Sequence, residues 1–311
     1  MQIAVIILNW NAAADTIRCV RQFDGWQRIQ PQLWVVDNAS HDSSAIDIAR
    51  ACPHVHLIRN AINLGFAGGT NCGLAAALAA GDAPVLLLNN DALIDENALV
   101  QLVQTLTQDP SIGMVGPLLY HAEGREQLIA AGSHSPVWRL HNQITTIPAG
   151  KQVYPVDYIS GSVALVQAAA LHATGLLDED YFFYTEVADW CRRARAHGYR
   201  TVVDTQARAY HNLDRSSTLR NSLYVYYIIR NRFVYIRKAY GTFAGLVRLP
   251  LYAFWAIYSL LLAIQLRGQG NRARARAVQL GVIDGLRGRT GGQNERVLAL
   301  CTQAAAKAMG T

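Results

Sequence analysis

Disulfide and zinc chemistry are the first things this sequence lacks. Its five cysteines, Cys19, Cys52, Cys72, Cys191 and Cys301, are odd in number and scattered, with no CxxC or metal-ligand spacing. They read as reduced, buried thiols of a cytosolic protein. There is no Walker A loop and no clean GxGxxG followed by an acid, which disfavours nicotinamide dinucleotides as ligands. No signal peptide precedes the first apolar run, so the domain is expected to stay in the cytosol. Internal repeats and long low-complexity stretches are absent too. At 311 residues the chain has room for one large domain or two, with a sizeable core.

Acidic residues are scarce in one region. From Arg237 onward the sequence holds 11 Lys/Arg against 2 Asp/Glu, whereas the first 236 residues hold 17 against 20. The positive excess therefore sits in the C-terminal part. That part also carries residues 249–266, 18 positions with no charge, between Arg248 and Arg267. This is near the lower length for a bilayer span, and Pro250 and Gln265 weaken a simple crossing. Tyr252, Trp255 and Tyr258 are the amphipathic aromatics that settle at headgroup depth. The cationic stretch 271–289 follows, so the segment reads as a helix associated with an anionic membrane surface. A buried packing or oligomer helix would use the same apolar run. The tail holds no recognisable nucleic-acid-binding module, and nucleic acid is not expected as a partner.

What is present is a repeated grammar. LLLNNDA (residues 86–92) is an apolar run ending in Asn89, Asn90 and Asp91. IAVIILNWN (3–11) empties into Asn9 and Asn11. LWVVDNASHDSS (33–44) empties into Asp37 and Asn38, with Ser40 or Asp42 placed to cap a following helix. Short runs rich in β-branched residues, alternating with helical stretches, predict a parallel sheet built from right-handed crossovers. Parallel strands share a direction, so these polar ends converge on one edge, the edge where α/β proteins bind ligands. A hard oxygen ligand there, such as Asp91, suits a divalent cation holding a phosphorylated substrate.

NLGFAGGTNCG (63–73) lies between VHLIR and the helical run LAAALAA. Its Gly65, Gly68, Gly69 and Gly73 let the backbone approach a ligand, and a helix start presents free N–H groups to anions. YFFYTEVADWCRRARAHGYR (181–200) spaces Glu186 and Asp189 three apart, on one face if helical, ahead of Arg192, Arg193 and Arg195. The same charges would also satisfy a helix dipole. Residues 120–155 look like an irregular insertion with short antiparallel strands, a natural place for specificity beside a ligand edge. VALV (163–166) and TVVD (201–204) are strand candidates, and 219–239 an aromatic, basic helix. His211 reads as a structural histidine unless it joins Asp91 around a metal.

Taken in order, ILNWN, VVDNASHDSS, NLGFAGGTNCG, LLLNNDA, ISGSVALV, LLDEDYFFYTEVADWCRRARAHGYR, His211 and RNRFVYIRK resemble family 2 of the nucleotide-sugar glycosyltransferases, inverting enzymes with the GT-A fold. Within that family the pattern is most similar to bacterial rhamnosyltransferase-type enzymes of surface polysaccharide. The resemblance implies an α/β domain over residues 1–240, with a mostly parallel sheet flanked by helices, and a helical membrane-associating or oligomerising tail over 241–311. It implies that Asn9 and Asp37, with Asn11 and Asn38 beside them, contact the nucleoside. Asn63, Gly65, Gly68 and Asn71 would line the donor loop. The family's DxD-type motif falls on Asn89, Asn90 and Asp91. Asp91 becomes the principal ligand of Mg²⁺ or Mn²⁺, Asn89 a weak neutral one, and His211 completes the metal and diphosphate site. One departure stands out. The family's acidic pair Glu-Asp is here Glu186-Val187, so the role of catalytic base passes to Glu186 or Asp189, with Asp189 preferred because a helix start can point Glu186 towards the loop.

The chemistry implied needs these parts. An acceptor hydroxyl is a poor nucleophile until a positioned carboxylate takes its proton. Attack opposite the nucleoside diphosphate inverts the anomeric carbon, and negative charge grows on the leaving diphosphate. No covalent intermediate is required, and the sequence offers no convincing nucleophile–base pair. The expected function is transfer of a sugar, with L-rhamnose from dTDP-rhamnose as a candidate donor, to a lipid-linked or polysaccharide acceptor at the cytoplasmic face of the bacterial inner membrane. A nucleotidyltransferase also exposes acids at strand ends, but residues 9–14 lack its glycine-rich basic activation loop. An inactive binding or scaffold relative is the other alternative, motivated by Val187.

Overall fold

The computed structural model describes residues 1–123, 126–140, 142–212, 218–241 and 245–306. The N-terminal strands are β1 (Gln2–Asn9), β2 (Gln30–Asp37), β3 (His56–Arg59) and β4 (Val85–Asn89), joined through helices α1 (Ala13–Arg21), α2 (Ser44–Ala51) and α3 (Gly65–Ala80). β1 is buried almost throughout, as befits a strand covered on both faces. Its Val5 and Ile7 point into one core with Val35, Leu99 and Leu102, while Ala4 and Ile6 join Leu74, Leu87 and Trp190 in the other. This is the period of two expected of a strand between two helical layers.

β5 (Ala92–Ile94), α4 (Glu96–Gln108) and β6 (Ile112–His121) follow, with Asp95 capping α4 by accepting from Ala98 N at 2.8 Å. The insertion after β6 contains β7 (Leu128–Ala130) and β8 (Val153–Pro155), which pair antiparallel with β6 and with the later strand β10 (Arg200–His211). β9 (Val163–Val166), α5 (Ala168–Thr174), a 3-10 turn (Glu179–Tyr181) and α6 (Glu186–Ala196) lead into β10. The strand order is β3-β2-β1-β4-β9-β6-β10-β5. Pairing is parallel from β3 to β4 and again between β6 and β10. β9 is antiparallel to both β4 and β6, because it returns from the long insertion rather than from a helical crossover. β10 is three times the length of the TVVD run that announced it, and so carries His211 well beyond Asp204.

The chain divides into two compact units, residues 1–178 with 187–213, and residues 179–186 with 214–311. This division lies before α7 (Thr218–Ala239), whereas the boundary read from composition lies after it. In the second unit α7 packs with α8 (Gly245–Gly268), α9 (Arg272–Arg287) and α10 (Asn294–Ala306). Tyr226, Tyr227, Leu280, Val297 and Cys301 form its core. α8 buries Leu251, Trp255, Ser259 and Ala263 at four-residue spacing, one face of a helix. Leu246, Leu249, Phe254, Ile257, Leu261 and Ile264 face outward. Among the described residues α8 is the one helix long and apolar enough, by length and composition, to cross a membrane.

Candidate active site

The parallel register brings the polar strand ends together. Asn9 stands opposite Asp37, and Leu8 opposite Asn89. Asn9 Nδ2 donates to Asp37 Oδ1 at 2.7 Å, and Asn9 Oδ1 accepts from Thr16 Oγ1 at 2.7 Å. Ser40 adds its hydroxyl to Asp37 Oδ1 at 2.6 Å and its N–H to Oδ2 at 3.2 Å. Asn90 Nδ2 extends the chain to Thr16 Oγ1 at 3.0 Å. Asn9 is fully buried and bonded to Asp37. Of the two expected caps Ser40 serves Asp37 instead, while Asp42 accepts Ser44 N at 3.0 Å at the start of α2, behind Ser43. Asn11 takes a left-handed φ of 52°, which asparagine tolerates. Its Oδ1 receives His41 N at 2.8 Å.

Asn38 is a buried hub. Its Oδ1 accepts from Asn60 Nδ2 at 3.0 Å and Leu64 N at 3.1 Å, while its Nδ2 donates to Asn63 Oδ1 at 3.0 Å and Gly65 O at 2.9 Å. Asn63 Oδ1 also receives Gly65 N at 2.8 Å. The turn before α3 is therefore fixed by side chains that use local and long-range partners together. The glycine-rich stretch reads as a loop, yet α3 begins at Gly65 and takes in Gly68, Gly69, Asn71 and Gly73. A Cβ at Gly69 would lie 2.6 Å from Leu8 Cδ1, so the close approach made there is to the sheet itself. Asn71 is buried and grips Leu177, donating to its carbonyl at 2.9 Å and accepting its N–H at 3.0 Å.

Asp91, Asn89 and His211 meet although His211 is 120 residues away in sequence. Antiparallel pairing of β5 with β10 sets His211 opposite Ala92. His211 Nε2 lies 3.0 Å from Asp91 Oδ1 and 3.3 Å from Asn89 Nδ2. Asn89 Nδ2 also donates to Ser162 Oγ at 3.3 Å. Among the described residues no group of three or more His, Cys, Asp and Glu is placed to hold a metal, so a cation here would rely on Asp91, His211, the neutral Asn89 and ligand oxygens.

Glu186 and Asp189, the two base candidates of the sequence with Asp189 preferred, separate in the structure. Asp189 is fully buried, with Arg192 Nη2 at 2.8 Å from Oδ1 and Arg193 Nε at 2.8 Å from Oδ2. Arg193 also donates to Thr174 O and Leu176 O, both at 2.7 Å. Asp189 is thus the centre of a brace on the segment after α5. Glu186 is buried too, but its Oε2 has no hydrogen-bond partner among the described residues. Burial raises its carboxyl from the ordinary 4.5 to about 7. Val187, where the family pattern has its aspartate, is buried against Gly161, whose added Cβ would lie 2.9 Å from Val187 Cγ2.

These features match a known family. The model of glycosyltransferase-like family 2 matches residues 1–235. The chain belongs to that family. It is a glycosyltransferase with the GT-A fold. It is 30% identical over 244 residues to the low-salt glycan biosynthesis hexosyltransferase Agl10 of Haloferax volcanii, covering 75% of this chain and 74% of that one. It is 26% identical over 275 residues to the N-acetylglucosaminyl-diphospho-decaprenol L-rhamnosyltransferase of Mycobacterium tuberculosis, covering 81% and 88%. Among solved structures, the mannosyltransferase PcManGT of Pyrobaculum calidifontis, in complex with GDP-Man and Mn²⁺, superposes with a TM-score of 0.57 at 16% identity, covering 99% of this chain and 80% of that one. S. aureus TarS 1–349 with UDP-GlcNAc gives 0.56 at 15% identity, covering 99% and 89%. Both structures share the fold.

Sequence reasoning passed over Thr16 and Ser162 and gave Ser40 the role of a helix cap; these are the hydroxyls that tie Asn9, Asp37 and Asn89 in place. The signal for Ser40 was its distance of three residues from Asp37, the spacing of a local side-chain turn. Thr16 and Ser162 gave no comparable signal.

Proposed function

We propose that this glycosyltransferase moves a sugar from a nucleoside diphosphate donor to a hydroxyl of a lipid-linked or polysaccharide acceptor, with inversion, in cell-envelope glycan synthesis. The finer reading is L-rhamnose from dTDP-rhamnose, supported by the likeness to the mycobacterial L-rhamnosyltransferase. The observation that carries the reading is the meeting of Asp91, Asn89 and His211 on the strand edge that Asp37 shares.

Asp37, held by Asn9 and Ser40, is the acceptor for donor groups of the nucleoside, and the Asn38 hub holds the turn and helix start that face the donor. The metal-binding residues fit Mn²⁺ or Mg²⁺. Asp91 offers a hard carboxylate oxygen, His211 an imidazole nitrogen, and Asn89 an amide oxygen if it turns. Asp91 and His211 would hold the ion, which when bound would supply charge neutralisation for the leaving diphosphate. Glu186 takes the acceptor proton. A buried carboxylate poised near neutral pH is basic enough to accept it and is still ionised at working pH.

The same reading lays α8 on the cytoplasmic face of the bacterial inner membrane. Its outward apolar stripe would enter the headgroup boundary. Arg267 at its end lines a hollow with Arg272 and Arg276 of α9, a charge set complementary to anionic lipid.

The deciding experiment is a melting-temperature screen of nucleotide sugars with Mn²⁺, followed by product analysis. Metal-dependent stabilisation by dTDP-rhamnose, lost in Asp91→Asn, is expected. No stabilisation by any nucleotide sugar would sink the reading, and pyrophosphate release from a nucleoside triphosphate would replace it with nucleotidyl transfer.

A further inference from the structure

The segment just before Glu186 takes an unusual path. Phe182, Tyr184 and Thr185 have φ of 62°, 67° and 79°, the left-handed region that bulky and β-branched residues avoid. Such a course persists only where its surroundings hold it.

The holder is on α7, in the same compact unit as residues 179–186. Arg230 and Asn231 are neighbours there and both fully buried. Asn231 Nδ2 donates to the carbonyls of Tyr181 at 3.0 Å, Phe183 at 2.7 Å and Tyr184 at 2.6 Å. Arg230 Nη2 donates to Tyr181 O at 2.6 Å and Asp180 O at 3.3 Å, and its Nη1 to Gly291 O at 2.6 Å. Arg230 Nε binds Asn231 Oδ1 at 2.8 Å, which fixes the amide so that its nitrogen faces the segment. The turn between α9 and α10 closes the other side. Gly291 N donates to Asp180 O at 2.9 Å, and an added Cβ at Gly292 would lie 2.7 Å from the Phe182 ring. Lys238 Nζ reaches Asp180 Oδ2 at 2.6 Å.

Packing alone does not call for this. Leucine-like side chains would join helices equally well without burying a guanidinium and an amide, whose desolvation is costly unless every polar atom is matched. Here all but two of the matches, those to Gly291 O and Asn231 Oδ1, go to main-chain carbonyls of residues 180–184, and that stretch leads to the carboxylate whose Oε2 has no partner among the described residues.

We infer that Arg230 and Asn231 are positioning residues, which grip the carbonyls of residues 180–184, hold the left-handed course at Phe182, Tyr184 and Thr185 and so set the direction of Glu186. The inference rests on the reading of Glu186 as the base. It also gives the RNR stretch of α7 a task, and gives the C-terminal helices a part in turnover besides any membrane contact.

The test uses the full chain carrying Asn231→Ala, with Gly292→Ala as an independent disturbance from the opposite side should the first variant fail to fold. Hydrogen exchange of the amides at 182–187 is expected to quicken about tenfold, with α9 and α10 unchanged. Turnover is expected to fall about a hundredfold, with KM for the donor within about twofold. The acid limb of the kcat–pH profile should move, which loss of stability alone would not do. Asn231→Ser, retaining one donor, should fall in between. Wild-type kcat and an unmoved acid limb in Asn231→Ala, or unchanged exchange at 182–187, would overturn the inference. Glu186→Gln separates it from the base reading, because that variant should lose turnover with exchange unchanged. Normal turnover in Glu186→Gln sinks the base reading alone.

Discussion

The sheet edge and the C-terminal helical unit use polar side chains in opposite ways. At the edge, Asn9, Asp37, Asn89, Asp91 and His211 are tied mainly to other side chains, and Asp91 keeps partial exposure. In the helical unit Arg230 and Asn231 are sealed from solvent and spend their donors on main-chain carbonyls. A side chain bonded to another side chain can exchange that partner for a ligand, whereas a buried donor on a carbonyl cannot let go without unfolding its neighbourhood. The edge can therefore re-partner its side chains, and the buried donors of the helices cannot.

The severest way to break this comparison is to remove one side of it. Ending the chain after residue 241 would strip α9 and α10 from Tyr226 and Tyr227, which are buried beneath them. The expected result is complete loss of transfer and of native melting, not a soluble, active enzyme freed from its anchor. Activity and a cooperative melt in the truncated chain would show that α7 and the 179–186 segment need no cover. On the other side, Asp91→Asn should lower kcat by about 10³-fold while leaving the melting temperature within a few degrees. Equal rates with and without EDTA would remove the metal from the account.

Much of the edge was legible because each strand's apolar run stops where its polar residue begins, and parallel register does the rest. Asn9, Asp37 and Asn89 needed only period and direction. The pairing of His211 with Asp91 was not readable locally, since it depends on β5 meeting β10. α3 was read too short for a different reason. Glycines at 65, 68, 69 and 73 depress helix propensity, but packing against Leu8 leaves no space for a side chain at Gly69, and tertiary demand overrides the local preference. The apolar, basic tail pointed to membrane and concealed the clamp. RNRFVYIRK shows as a basic, aromatic helix, and nothing in its spacing says that Arg230 and Asn231 face inward.

Glu186 and Asp189 sharpen the comparison within a single helix. Glu186→Gln should lower kcat by about 10²–10³-fold. The wild-type rate should fall as pH drops through about 7, where the carboxylate takes up its proton. Stability runs the other way. Because the folded carboxyl titrates near 7 and the ordinary value is 4.5, its stabilising share is whole below 4.5 and is lost as pH rises through about 7. Glu186→Gln should therefore be more stable than wild type at pH 9, by up to about 3 kcal/mol. Denaturant melts at pH 5 and pH 9 read this directly, and a variant destabilised at both would contradict a buried acid whose Oε2 has no partner among the described residues. Asp189→Asn should instead cost about 1–3 kcal/mol at neutral pH, since Arg192 and Arg193 lose a buried partner. The position of its acid limb should match wild type.

The smallest expected effect concerns the outer surface of the helical unit. Arg267, Arg272 and Arg276 line one hollow beside a helix end from which Leu261 and Ile264 face outward. Each cation near an anionic surface is worth about 1 kcal/mol, so Arg267→Gln should weaken binding to anionic vesicles about fivefold. Binding to neutral vesicles should not change, because the apolar stripe of α8 is intact. Raising salt should shrink the difference between variant and wild type, as screening shortens the reach of surface charge. Turnover on a soluble acceptor should stay at the wild-type level, since Arg267 bonds to nothing in the 179–186 segment. Vesicle flotation at two salt concentrations separates the contributions. An Arg267→Gln protein that keeps its full preference for anionic lipid would place the charge recognition elsewhere on the helices, and one that no longer floats with neutral vesicles would mean that charge and apolar contact are not separable here.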